Sequence, residues 1–269
     1  MAAYDFTSQR LFLDADLSQG ARVALDRGQA NYLLNVLRLG PGRRVLAFNG
    51  RDGEWAAEVA PEGRRNAALV VREWVRAQTP PGDLVLLFAP LKSARLDYGV
   101  QKAVEMGASA LAPVLTRRTQ ASRVNLERMR ANAVEAAEQC GILTIPEILP
   151  EIDLAGALGR LETGRRLIFC DEDAPVANPL HALAGEVPAP AADASPPLAV
   201  LIGPEGGFDA AEREMILARG NVVRLSLGPR ILRADTAAVA VLALVQAALG
   251  DWCRPRAAPA LPPATAQPI

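Results

Sequence analysis

LAVLIGPEGGFDAAE, residues 198–212, runs from an unbroken apolar pentad through a glycine-rich turn into a helix start. Five consecutive apolar residues predict a strand buried on both faces, the pattern of a parallel sheet covered by helices. Gly203, Pro204, Gly206 and Gly207 end it. Asp209 with Glu212 three residues later is a capping-box signature and predicts a helix at about 210–219. The same unit recurs on either side. An apolar strand at 84–89 precedes an amphipathic helix at 93–106, with Leu96, Val100, Ala103 and Val104 on one stripe and Gly107 as its stop. A strand at 110–115 precedes a helix at 126–139, and further strands are expected at 166–170 and 222–227. AAVAVLALVQAAL (237–249) is too short to span a membrane, which takes about 20 residues, and predicts a buried helix capped by Asp235 or Thr236. Residues 83–250 therefore read as an α/β domain with a mainly parallel sheet.

The N-terminal part has a different period. Short apolar or alternating runs at 10–14, 21–26, 44–50, 54–60 and 67–75 are separated by turn chemistry, most clearly Gly40-Pro41-Gly42 and Asn49-Gly50. One helical segment, at 29–39, carries Leu33, Leu34, Leu37 and Leu39. Residues 1–76 are expected to form a small β-barrel of a kind that often binds RNA. The Pro/Gly-rich residues 78–83 mark the boundary. Residues 187–197 predict a flexible loop and 251–269 a disordered tail, both rich in Pro and Ala.

Composition narrows the chemistry. Three widely spaced cysteines exclude a disulfide scaffold or zinc-finger framework, and a single histidine, His181, leaves no histidine-rich metal site or proton relay. No metal is expected. The start MAAYDFTSQR lacks a basic-then-apolar signal, so neither export nor a membrane partner is expected and the cytoplasm is the default. Across 269 residues the formal charge is −1, but residues 76–130 hold nine basic against four acidic side chains. A local field of that kind can meet phosphate whatever the molecular sum.

Open parallel sheets bind ligands at the carboxyl ends of their strands. Three strand ends here carry unusual loops: Cys170-Asp171-Glu172-Asp173, then 203–208, then LGPRILRADTA at 227–237. Neither glycine loop has the spacing of a P-loop or a dinucleotide fingerprint. Two such loops on successive strand ends predict a glycine-lined cleft for a small, largely neutral ligand such as an adenosyl group.

LIGPEGGF (201–208) paired with LSLGPRILRADTA (225–237) resembles the cofactor motifs of the bacterial 16S ribosomal RNA (uracil-N3)-methyltransferase family, within the SPOUT superfamily of knotted methyltransferases. Arg10-Leu11-Phe12-Leu13, YLLNVLR (32–38), Lys92…Arg95…Asp97…Gln101-Lys102 and EAAEQCG (135–141) match in order, so the resemblance covers about 8–250. Three positions depart from it: Asn31 replaces His, Ile142 replaces Arg and Asp235 replaces Glu. The resemblance implies an N-terminal PUA-like barrel, a C-terminal trefoil-knotted α/β domain and a homodimer. It also implies S-adenosyl-L-methionine as cofactor and 16S rRNA or the small ribosomal subunit as partner. Carried over residue by residue, the cofactor site would use Leu201, Ile202, Gly203, Gly206, Leu225 and Leu227, then Gly228, Ile231, Leu232, Thr236 and Ala237.

Methylating uracil N3 requires removal of its proton and stabilisation of the resulting anion. Arg233 is the first candidate cation and Arg10 the second; Glu205 and Asp235 are candidate bases. Arg10, Arg38, Lys92, Arg95 and Lys102 are the candidate RNA contacts, with Arg95 and Lys102 seven apart on one helical face. Two alternatives stay open at this level: a SPOUT methyltransferase on another RNA, and a non-catalytic ribosome-assembly factor that keeps the fold.

Overall fold

The structure, a computed structural model, describes residues 7–63, 65–120, 123–175, 178–186 and 196–253. It divides into two compact units. The first is Met1–Pro80 with Ala137–Thr144 and Arg256–Ile269, the second Pro81–Ala136 with Ile145–Pro255. The expectations for 187–195 and for 254–269 lie outside the described residues, and Asp251–Cys253 forms a 3-10 turn.

In the first unit β1 (Arg10–Phe12), β2 (Arg22–Ala24), β3 (Arg44–Phe48), β4 (Glu54–Pro61) and β5 (Ala67–Arg76) form one sheet in the order β1-β3-β4-β5-β2. The β1–β3 pair is parallel and the others antiparallel. β1 and β2 are the two ends of this path, so among the described residues no strand pairing closes it into a ring. Leu11, Leu13, Leu33, Val45, Val59, Leu69 and Val71 supply the core, as alternation in the short runs requires. The expected helix begins earlier. Asp26 and Gln29 form a reciprocal capping box that starts α1 (Arg27–Asn31), which passes into a π-turn at Tyr32–Val36. Leu39 N–H then reaches back to the Leu33 carbonyl, and Arg38 adopts a φ of 53°. That left-handed residue is what ends the turn before 39.

Arg10, expected as an RNA contact and second candidate cation, is instead enclosed. Its side chain is 3% exposed, and its Nε donates to Glu54 Oε1 at 2.9 Å. Arg76 donates to the other Glu54 oxygen at 2.8 Å and to the Gly141 carbonyl at 2.6 Å. A Cβ on Gly141 would stand 3.3 Å from Arg10 Cζ, so the guanidinium is enclosed on that side as well. A charge held inside an ion-paired cluster is withdrawn from RNA and from any base anion.

The second unit holds a parallel sheet in the order β12-β10-β11-β6-β7-β8. Its strands are β6 (Leu84–Phe88), β7 (Ala110–Leu115), β8 (Glu147–Ile148), β10 (Arg166–Cys170), β11 (Leu198–Ile202) and β12 (Val222–Leu225), with β9 (Ile152–Asp153) beside the end of β7. Its helices are α2 (Ser93–Glu105), α3 (Leu126–Cys140, of which 137–140 count with the first unit), α4 (Leu154–Arg160), α5 (Pro179–Glu186), α6 (Ala210–Leu217) and α7 (Ala234–Ala248). α2 and α5 pack against α7, and α4 packs against α6. Leu87, Val114, Leu158, Leu167, Phe169, Leu201 and Ile216 form the core on the α4–α6 side. The start of α7 differs from expectation: Arg233 holds the N-cap position without a side-chain bond, and Asp235 lies in the first turn. Its carboxylate accepts from Thr236 N–H, the local alternative to capping.

Candidate active site

Cys170 is in register with Leu225 and Phe169 with Leu201, so β10, β11 and β12 end along one edge of the sheet. The loops that follow them surround a cleft of about 430 Å³. Ile202, Gly203, Leu225 and Leu227 of the expected cofactor residues line it, as do Gly228, Ile231, Leu232 and Ala237. Leu201, Gly206 and Thr236 do not. Leu201 is fully buried in the core behind, and Thr236 is exposed on α7.

The glycines have specific work. A Cβ on Gly203 would stand 2.6 Å from the Phe208 ring, so only glycine lets that ring fold across the strand end. Phe208 packs edge-on to Phe169 with centroids 5.4 Å apart, giving the cleft an aromatic wall. Gly207 and Gly228 have φ of 69° and 96°, turning the chain back toward the ligand space. α6 starts on the expected capping box. Asp209 Oδ1 accepts from Glu212 N–H at 2.8 Å, and Glu212 Oε2 accepts from Asp209 N–H at 3.0 Å.

At the β10 end, Asp171 accepts from Arg213 Nη2 at 3.0 Å and Arg224 Nε at 2.6 Å. Burial pushes its carboxyl up, but those two guanidinia and the Asp173 N–H more than offset that and hold it below the usual carboxylate range. Asp171 thus remains an anion braced by two cations, a rigid floor rather than a proton carrier. Burial pushes the neighbouring Cys170 thiol up to about 12, so it stays neutral and is no nucleophile. Only the acidic 170–173 loop was visible beforehand. Arg213 and Arg224 reach Asp171 from α6 and β12, a convergence no local spacing reveals.

Glu205 lines the cleft and is ion-paired to Arg95 of α2, with about 40% of each side chain exposed. Arg233 is exposed and does not line the cleft, although its neighbours Leu232 and Ala234 do. Asp235 does not line the cleft; it borders a small apolar hollow under α2. Lys92 is exposed at the start of α2 and Arg38 is exposed in the first unit. Lys102 donates to Glu105 at 2.6 Å and lies 5.5 Å from the Tyr98 ring centroid. Among the described residues no group of three or more His, Cys, Asp or Glu could hold a metal ion, and no helix is long and apolar enough to cross a membrane.

Residues 78–246 match the RNA methyltransferase domain family, and residues 25–72 match the RNA methyltransferase PUA domain. The chain belongs to the RNA methyltransferase family. Within that family it is similar to the ribosomal RNA small subunit methyltransferase E of Rickettsia conorii, 28% identical over 91% of this chain and 97% of the relative. The protein of the same name from Synechocystis is 31% identical over 85% of this chain and 74% of its own length. The crystal structure of the Neisseria gonorrhoeae ribosomal RNA small subunit methyltransferase E bound to S-adenosyl methionine is similar at TM-score 0.77 and 28% identity, covering 89% and 97% of the two chains. A putative methyltransferase from Legionella pneumophila, also with bound cofactor, matches at TM-score 0.77 and 25% identity over 90% and 98%. The N-terminal unit is accordingly PUA-like and the C-terminal unit a parallel α/β methyltransferase domain.

Proposed function

We propose that this RNA methyltransferase uses S-adenosylmethionine to methylate N3 of a uridine in 16S rRNA of the small ribosomal subunit. The observation that carries the reading is the meeting of three strand-end loops around one cleft, two of them glycine-rich. Its size suits a nucleoside-sized ligand, and the Phe208 ring over Gly203 offers an apolar wall with main-chain groups beside it. The names and bound cofactor of the relatives point the same way.

The cleft-lining residues within 202–208 and 225–232 would hold the cofactor, which supplies a methyl group on an electrophilic sulfonium. The protein's work is therefore on the acceptor. Uracil N3 is protonated near neutral pH and lies on the Watson–Crick edge, so the base must be unpaired or extruded to reach the cleft. Arg233, exposed between the cleft-lining Leu232 and Ala234, is in this reading the cation that stabilises charge on O2 or O4. Glu205 on the cleft wall can take the N3 proton, with Asp235, in the first turn of α7 and outside the cleft lining, as the second candidate carboxylate. Arg38, Lys92, Arg95 and Lys102 serve the RNA backbone in this reading, with Arg95 shared with Glu205.

A homodimer in the cytoplasm, with the RNA pocket near the subunit interface, belongs to the same proposal. So does a trefoil knot in the second unit. Calorimetric titration of the full chain with S-adenosylhomocysteine tests the cofactor site. One site per chain in the micromolar range is expected, and no binding at millimolar ligand would leave a non-catalytic assembly factor as the better reading.

A further inference from the structure

The turn after β7 touches the glycine loop at several points. Thr116 and Thr119 close the turn on each other through Thr116 N–H to Thr119 Oγ1 at 2.8 Å and Thr119 N–H to the Thr116 carbonyl at 3.1 Å. Arg117 N–H, inside it, donates to Glu212 Oε1 at 2.8 Å, and its guanidinium stands 3.1 Å from Asp209. Arg118 Nη1 donates to the Gly206 carbonyl at 2.6 Å. Its aliphatic stem covers Gly206, with Cδ 3.4 Å from where a Cβ would stand. Arg95 meanwhile holds Glu205 from α2.

We infer that Arg118 is a positioning residue for methyl transfer: it fixes the Gly206 carbonyl and so holds the 203–208 loop in the shape that walls the cofactor cleft. The inference rests on the cofactor assignment above. Gly206 does not line the cleft, whereas its neighbours Gly203, Glu205 and Gly207 do, so Arg118 holds the loop at a point outside the lining. The other two grips on the loop, Arg95–Glu205 and Arg117–Asp209, are exposed ion pairs between side chains; the Arg118 bond is exposed as well, and differs in what it holds. Arg118 binds a main-chain oxygen, so it constrains the backbone rather than a side chain that can rotate away. A guanidinium donor on a carbonyl is also among the stronger hydrogen bonds. Arg118 lies in the basic 76–130 segment, which makes an RNA phosphate contact the competing role.

Steady-state kinetics of the full chain on rRNA separate the two, with S-adenosylhomocysteine binding as an equilibrium check. For Arg118→Ala, KM for S-adenosylmethionine and the dissociation constant for S-adenosylhomocysteine should each rise about tenfold, the scale of one charge-assisted hydrogen bond. KM for RNA should not move, and kcat should stay within a factor of about two because the reacting groups are untouched. Arg118→Lys, which keeps a cationic donor, should recover most of the cofactor affinity. Weaker RNA binding with a salt slope reduced by about one and unchanged cofactor affinity would overturn the inference in favour of a phosphate contact. A lower kcat with both KM values unchanged would also overturn it, as loss of folded enzyme. If the unsubstituted chain bound no S-adenosylhomocysteine, the cofactor reading itself would fail and take this inference with it.

Discussion

Arg233 and Asp171 separate chemistry from support at the level of single side chains. Arg233→Ala removes an exposed guanidinium that makes no cap bond, so S-adenosylhomocysteine affinity should stay within about twofold while kcat falls roughly 100-fold, the cost of one lost oxyanion donor. Equal loss of both would make Arg233 structural. Asp171→Asn breaks a carboxylate shared by Arg213 and Arg224. Those guanidinia are 30% and 29% exposed, so the expected loss in a urea titration is about 2 kcal/mol, below that of a wholly buried pair. The pH dependence follows from the same carboxyls. Asp171 is held below the usual carboxylate range by hydrogen bonds that outweigh burial, Asp97 by Arg128 and Asp209 by the Glu212 N–H. A carboxyl lowered by folding adds stability that is complete above its unfolded value, about 4, and is lost as pH falls through the folded value. Melting temperature should therefore hold steady from neutral pH to about 5 and drop below about 4, with a shallower acid limb in Asp171→Asn. An acid limb unchanged by that substitution would place the titration elsewhere.

Helix α6 joins sequence to site most directly among the elements. Its capping box was legible because both members lie three residues apart in the chain. The structure adds that Glu212 also accepts from Arg117 N–H, 95 positions away, and that its side chain is buried. Glu212→Ala should therefore cost more than Asp209→Ala. It strands two main-chain donors from a buried side chain, an expected loss of about 2 kcal/mol by denaturant titration, whereas the Asp209 carboxylate caps the helix start from a more exposed position and its exposed pair with Arg117 adds little. The longer strands were legible for a related reason: continuous apolar runs at 84–89, 110–115 and 198–202 leave no other economical use for those residues. α4, α5, β8 and β9 were not. They span two to eight residues, too few for a hydrophobic period to repeat. The start of α7 was misread because Asp235 and Thr236 are both good capping residues, and only the backbone shows that Arg233 holds the place.

Across the whole molecule, the chemistry sits where long-range pairing puts it. The cleft forms because β10, β11 and β12 end together, and loops separated by about twenty to thirty residues of chain become neighbours. The glycine loops announced themselves in sequence. The Arg213–Asp171–Arg224 brace and the Arg118 grip did not, since each partner reaches the site from a different element. Arg10 fails for the same reason in reverse. Its place near the start of a strand says nothing of Glu54 and Arg76, which enclose it from neighbouring parts of the same unit. The proposed dimer predicts a sedimentation mass of two chains at micromolar concentration, and a monomer there would remove the interface from the account. Methyl transfer to uracil N3 is read out by nucleoside mass analysis. Purified protein, isotopically labelled S-adenosylmethionine and small-subunit RNA or particles lacking the modification are incubated, digested and resolved. Label in 3-methyluridine at a single position of the rRNA is the predicted result. Label in any other nucleoside, or none at all, would contradict it.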